Sequence, residues 1–187
     1  MCEASVRVID TELTDVKILE PRVFGDERGF FLESWNSRVF EQCGLDTEFV
    51  QDNHSRSAQG VLRGLHYQLV NPQGKLVRVT QGEVYDVAVD MRRSSRQFGR
   101  WTAVTLSESN KRQLWVPPGF AHGFFVVSSS ADFQYKCTDY YNPEHERTLL
   151  WNDPVLDIPW PLHNGQEPKL AEKDQSGQLL SDCDCFK

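Results

Sequence analysis

Apolar residues along the chain come in short runs of period two, and the runs are cut by Gly, Pro, Asn and Asp. The clearest is Glu83–Asp90, EVYDVAVD, where polar and apolar positions alternate as on a strand with its side chains on opposite faces. Leu76–Thr80 leads into a Gln81-Gly82 turn, Trp101–Leu106 alternates again, and Leu114–Val116 runs into the Pro117-Pro118-Gly119 turn. Gly123–Ser128 and Asp132–Thr138 predict two strands paired across a serine-rich turn. Earlier, Val16–Leu19, closed by Glu20-Pro21, and Phe30–Trp35 are strand candidates. Ser37–Cys43 predicts a brief helix with Gly44 as its C-cap. Gln51–Ser55 is a polar run, read by itself as a loop. Pro154–Pro161 is proline-rich, and the tail from Gln166 to Lys187 is polar with room for a short helix. Many short strands with regular turns predict an all-β sandwich or barrel.

At 187 residues the chain suits one domain over 1–187: N-terminal strands in 1–50, a barrel core in 51–150 and an extension in 151–187. A formal net charge of −7 argues against duplex nucleic acid, which needs many Lys and Arg on its phosphates, but leaves room for a small anion held by a few local bases. No apolar stretch approaches the roughly 20 residues of a membrane helix, so no membrane partner is expected. The five cysteines (Cys2, Cys43, Cys137, Cys183, Cys185) are odd in number and irregularly spaced, and Met1-Cys2-Glu3-Ala4 does not open a signal peptide. A reducing, cytoplasmic setting fits, with Cys183-Asp184-Cys185 in a frayed terminus.

Candidate chemistry gathers around histidines, which number five: His54, His66, His122, His145 and His163. In Gly60–Gln68 a period-two strand places Gly64, His66 and Gln68 on one face, with Arg63 near the turn and still able to reach a ligand. Lys75 follows the Asn71–Gly74 turn, and an ammonium beside a neutral imidazole suits stabilisation of an enolate oxygen. Phe24–Glu33 reads as a hairpin with a charged Asp-Glu-Arg tip.

Pro117–His122 resembles the second motif of the cupins, P-x-G-x-x-H, but the first motif reads His66-Tyr67-Gln68 and lacks its second histidine. Two histidines alone make a weak metal site, so no metal is expected. Four segments in order resemble the dTDP-4-dehydrorhamnose 3,5-epimerases: Phe24–Glu33, Gln51–Ser55 (QDNHS), Val61–Gln68 (VLRGLHYQ) and Val116–Phe124 (VPPGFAHGF). Tyr135–Tyr141 and Glu172-Lys173-Asp174 extend the likeness over roughly residues 10 to 180. The resemblance implies a cupin-like jelly roll (a double-stranded β-helix barrel) with a few short helices, mainly near the C-terminus. It also implies a homodimer, a dTDP-linked 4-keto-6-deoxy sugar as substrate and no cofactor. It further implies His66 as base oriented by Asp174, Tyr135 as acid, and Lys75 with Arg63 and His122 on the enolate. Substrate binding falls to Phe24, Arg28, Glu33, Gln51, Asn53, Arg63, Lys75, His122, Glu146 and Lys173. A mono-epimerase, a ketoisomerase and a non-catalytic sugar-binding cupin remain the alternatives on this fold.

Overall fold

Runs of β-branched and aromatic residues build thirteen strands among the residues that the computed structural model describes, 5–45, 48–162 and 165–187. Cys2 and His163 lie outside them. Numbered in chain order, one six-stranded sheet runs β1 (Val6–Asp10), β2 (Lys17–Pro21), β10 (Gln113–Val116), β7 (Lys75–Gln81), β12 (Ser130–Cys137) and β5 (Gln51–Ala58). The facing five-stranded sheet runs β13 (Glu146–Thr148), β6 (Leu62–Gln68), β11 (Phe120–Val126), β8 (Glu83–Asp90) and β9 (Trp101–Ser107). A separate hairpin pairs β3 (Val23–Asp26) with β4 (Gly29–Leu32). Every pairing between these strands is antiparallel, and the chain is a cupin-like jelly roll.

Three apolar layers follow from two sheets. Between them lie Val77, Val79, Val84, Val104, Leu106, Val116 and Phe133. Outside the six-stranded sheet, α1 (Ser37–Gln42) lays Phe40 over Leu19, Leu76 and Trp115. This longer of the two α-helices among the described residues sits early in the chain: Asn36 Oδ1 caps it by accepting from Arg38 N, and Gly44 leaves it at φ +79° as expected. Outside the five-stranded sheet, residues 151–187 cover Leu65, Val87, Val89 and Met91 with Leu156, Trp160, Leu180 and Cys183. β8 is therefore buried on both faces from Asp86 onward, not on one face as its alternation suggests.

Three local expectations change. Gln51–Ser55 belongs to strand β5, whose alternate side chains Gln51, Asn53 and Ser55 face a cavity while Asp52 and His54 stay exposed. β11 and β12 are not a hairpin: β11 pairs with β6 and β8, β12 with β5 and β7, and the serine turn carries the chain from one sheet to the other. Ser128 Oγ anchors that corner, accepting from Glu83 N (2.7 Å) and donating to Ser130 O (2.7 Å). The C-terminal tail is not frayed. Cys183 is buried, and Tyr67 Oη donates to Asp184 O at 2.6 Å. The tail is held by the buried Asp153 carboxylate, which accepts from Val155 N (2.7 Å) and Leu180 N (2.6 Å).

Asp153→Ala should therefore strand buried backbone donors and cost about 2–3 kcal/mol. Thermal denaturation should show a Tm lower by about 4–10 °C for a chain of this size, and an unchanged Tm would mean that the tail is not held this way.

Candidate active site

The mouth of the barrel holds a cavity of about 350 Å³, walled by both sheets. From the five-stranded sheet come Arg63, His66, His122 and Glu146; from the six-stranded sheet come Gln51, Asn53, Lys75 and Tyr135. The short helix α2 (Glu172–Gln175) adds Lys173 and Asp174. Thus ten of the residues expected at the site are brought to one cavity by strands and a helix far apart in sequence.

The expected alternation along β6 does not hold. His122 is level with His66, but Phe124 is level with Arg63, so two steps on β11 span three on β6. The extra residue turns Arg63 and His66 to the same side. Gln68 does not line the cavity and braces a loop instead, its Nε2 donating to Asn71 O (2.8 Å) and Tyr140 O (3.2 Å). Two glycines permit this close passage. A Cβ on Gly64, which sits at φ +121°, would stand 2.5 Å from Gly123 Cα, and one on Gly123 would stand 2.6 Å from Arg63 O.

His66 Nε2 lies 2.5 Å from Asp174 Oδ1, whose side chain is buried. An ionised carboxylate only accepts, so Nε2 carries the hydrogen and Nδ1 keeps a free lone pair. Burial holds the imidazole below its ordinary pKa, opposed by Asp174 and reinforced by Lys173 and Lys75. His66 is thus a neutral imidazole at neutral pH. Tyr135 is tuned the other way: burial, then the nearby Cys137 and Glu146, push its phenol up to about 12 against the pull of Arg63. It stays protonated. Lys136, the next residue, points out of the barrel to Asp52 (3.0 Å) and brings no cation to the phenol. Lys75 is drawn below its usual value by burial, with Cys137, Glu146 and Asp86 restoring part of the charge.

Asp86 and Tyr141 had no assigned part. Asp86 is fully buried on β8 and meets His122 Nε2 at 2.9 Å, while its Oδ2 has no partner. The sequence does carry a signal for it: Asp86 falls between Val84 and Ala88 on the barrel face of an apolar strand. Tyr141 Oη donates to Glu146 Oε2 at 3.0 Å on the cavity rim. Ser55, two steps from Asn53 on β5, also lines the cavity and would have followed once that run was read as a strand.

Phe24, Arg28 and Glu33 do not join the cavity. Phe24 and Arg28 line a separate groove on the β3–β4 hairpin, where Arg28 is spent on Asp26. Glu33 accepts from Asn36 Nδ2 at 3.0 Å. The hairpin exposes Phe24 (52%), Phe30 (61%) and Phe31 (69%). Among the described residues no three His, Cys, Asp or Glu side chains are grouped to hold a metal ion, and His66 and His122 each face their own carboxylate.

The family model for dTDP-4-dehydrorhamnose 3,5-epimerase matches residues 10–182. The chain belongs to this family. It is 61% identical to the dTDP-4-dehydrorhamnose 3,5-epimerase of Pseudomonas aeruginosa over 93% of this chain and 96% of that one. It superposes with TM-score 0.93 on a dTDP-6-deoxy-D-glucose-3,5-epimerase of Legionella pneumophila solved with dTDP-4-keto-L-rhamnose, at 53% identity over 96% of this chain and 95% of that chain. A 3'-monoepimerase of Streptomyces bikiniensis, solved with dTDP-quinovose, shares the fold at TM-score 0.85 and 31% identity over 91% and 86% of the two chains. No helix among the described residues is long and apolar enough to cross a membrane.

The depressed His66 pKa sets a pH dependence. With His66 as the base that the resemblance implies, which works when neutral, kcat/KM should rise with pH through a value below about 6.5 and level off above it. Asp174 pulls that pKa upward, so Asp174→Asn should move the acid limb to lower pH while reducing the plateau. A limb that moves to higher pH would contradict the assignment.

Proposed function

We propose that this chain inverts C3 and C5 of dTDP-4-dehydro-6-deoxy-D-glucose, giving dTDP-4-dehydro-L-rhamnose, by proton transfer through an enolate and without a cofactor. The observation that carries this reading is the placement of the two proton carriers. His66 stands on the five-stranded sheet and Tyr135 on the six-stranded sheet, and both face one cavity. A sugar ring held between them meets a neutral base on one side and a protonated phenol on the other.

The chemistry then runs as follows. The C4 ketone acidifies the hydrogens on C3 and C5. His66 Nδ1 removes one, and Asp174 stabilises the imidazolium that forms. Negative charge moves to the ketone oxygen, where Lys75, Arg63 and His122 supply cations or donors. Tyr135 returns a proton to the opposite face and the centre is inverted. Arg63 and Lys173 hold the diphosphate, with Gln51 and Asn53 as further donors. His122 is steadied by Asp86 and by stacking on Phe133, with centroids 6.1 Å apart.

We also propose a homodimer, as the family resemblance implies. Phe24, Arg28 and Glu33 lie off this chain's own cavity, on or beside an exposed aromatic hairpin. A second copy would cover those rings and could receive the three residues at its own site. Mixing His66→Asn chains with chains carrying Phe24→Ala and Arg28→Ala should then restore activity at low substrate that neither has alone. Absence of any restoration, with a dimer confirmed by light scattering, would refute sharing.

The reaction itself is read in heavy water by NMR with dTDP-4-keto-6-deoxyglucose. Wild type should place deuterium at C3 and C5 and invert both centres; inversion at one centre alone would make it a mono-epimerase. His66→Asn should lose exchange by on the order of a hundredfold or more. Tyr135→Phe should still exchange but yield little inverted sugar. Equal loss of exchange and inversion in Tyr135→Phe, at unchanged Tm, would remove the phenol from the acid role.

A further inference from the structure

We infer that Cys183 and Cys185 form a redox-active dithiol, a site where a small-molecule disulfide converts two thiols into one intramolecular disulfide. Its readouts need no sugar and do not depend on the epimerase reading. Cys183 Sγ and Cys185 Sγ stand 3.5 Å apart. A disulfide needs about 2.05 Å between its sulfurs, so closing it takes a movement of about 1.5 Å at the side chains and no new path for the backbone.

The fold holds this pair from both sides. Cys183 N donates to Leu179 O at 2.9 Å, closing a turn, and Cys183 is buried in the apolar layer under the tail. Just past Cys185, Phe186 N donates to Met91 O (3.1 Å) and Phe186 O accepts from Arg93 N (2.9 Å). Between the cysteines, Asp184 O accepts from Tyr67 Oη at 2.6 Å, and Asp184 Oδ2 accepts from Arg147 Nε at 3.0 Å. Packing alone asks only for a small apolar side chain at each position. It gives no reason for two sulfurs in contact, one buried and the other partly open to solvent.

This difference in access sets the order of events. Cys185 is reached first, and its thiolate attacks one sulfur of the incoming disulfide RSSR. The S–S bond of RSSR breaks, and RS− leaves with the proton that Cys185 gave up. Cys183 Sγ then attacks Cys185 Sγ, the mixed disulfide breaks, and the second RS− leaves with the Cys183 proton. The protein has lost two electrons and two hydrogens, and RSSR has become two RSH. Burial pushes the Cys183 thiol above its ordinary range, its hydrogen bond with Cys185 adds to this, and Tyr67 opposes both. The Cys185 contribution ends once Cys185 is in the mixed disulfide, so the first step favours the second. Bridging residues two apart closes a small ring, and strained disulfides are the readily reduced kind, so the change is reversible.

Oxidised glutathione is the probe, applied to the full chain, with acid quenching and alkylation before digestion. Cleavage by trypsin after Lys173 releases Asp174–Lys187, which holds both cysteines and no other. In wild type this peptide should be lighter by two hydrogens and closed to alkylation, and excess dithiothreitol should restore both thiols. Cys183→Ser should instead keep one glutathione on Cys185, because nothing resolves the mixed disulfide. Cys185→Ser should leave Cys183 reduced, its capture slower than that of Cys185 by on the order of tenfold or more, as burial requires. A glutathione adduct that persists in wild type, faster capture at Cys183 than at Cys185, or a wild-type peptide that stays fully open to alkylation would each overturn the pair. If Cys183→Ser fails to fold, loss of two hydrogens in wild type and its absence in Cys185→Ser decide the same question.

Discussion

The contact between His66 and Asp174 imposes a heavy demand on the architecture, because its two members are 108 residues apart. One sits in the middle of a sheet strand, the other in a four-residue helix near the end of the chain. To bring them together, the segment after β13 must travel along the outer face of the five-stranded sheet and stay there. Its adhesion is apolar: Leu156, Trp160, Leu180 and Cys183 close over Leu65, Val87 and Met91. The buried Asp153 carboxylate then joins the two ends of the extension by accepting from backbone donors at Val155, Leu156 and Leu180. The C-terminal extension thus helps to build the cavity, held by packing and by these hydrogen bonds.

Once the cavity is formed, a single physical effect prepares both proton carriers. Removing a group from water penalises whichever form carries charge. For His66 that form is the imidazolium, so its pKa falls; for Tyr135 it is the phenolate, so its pKa rises to about 12. Burial therefore leaves a neutral imidazole and a protonated phenol at the same pH without separate devices for each, which is what the proposed base and acid require. The cost falls on the charged groups in the same space, Lys75 and Asp86. Each is pushed toward neutrality by burial, and each raises the charged population of the other. Phe133, stacked on Phe124 with centroids 4.1 Å apart, supplies the apolar wall of that space.

The two histidines are level with one another on β6 and β11, the placement that a cupin would use to gather ligands on a common ion. Here each turns to its own carboxylate instead, His66 to Asp174 and His122 to Asp86. Gln68, standing where a further histidine of the first cupin motif would stand, braces the loop at Asn71 and Tyr140. Pairing with separate carboxylates fixes the tautomer of each ring and so gives each a distinct chemical part.

Period-two alternation, turn residues and the helix with its Gly44 cap were legible in the sequence, because each depends on sterics between near neighbours. Order and spacing also carried the candidate site. His66, Tyr135, Lys75, Arg63, His122 and Asp174 were expected at one place from their motifs, and they line one cavity. Tertiary structure decided what depends on distant partners. Alternation alone could not reveal the extra residue in β6, because it arises from the backbone passage of Gly64 against Gly123 in another strand. A serine turn between two apolar runs looks like a hairpin until each strand has chosen its neighbours, and β11 and β12 chose opposite sheets. A polar run such as Gln51–Ser55 resembles a loop unless a cavity stands ready to receive every second side chain. Asp86 was one acidic residue among many in the sequence. Only the closing of two sheets around it, with His122 as its partner, made it a buried carboxylate, since burial belongs to the assembled fold and not to any one segment.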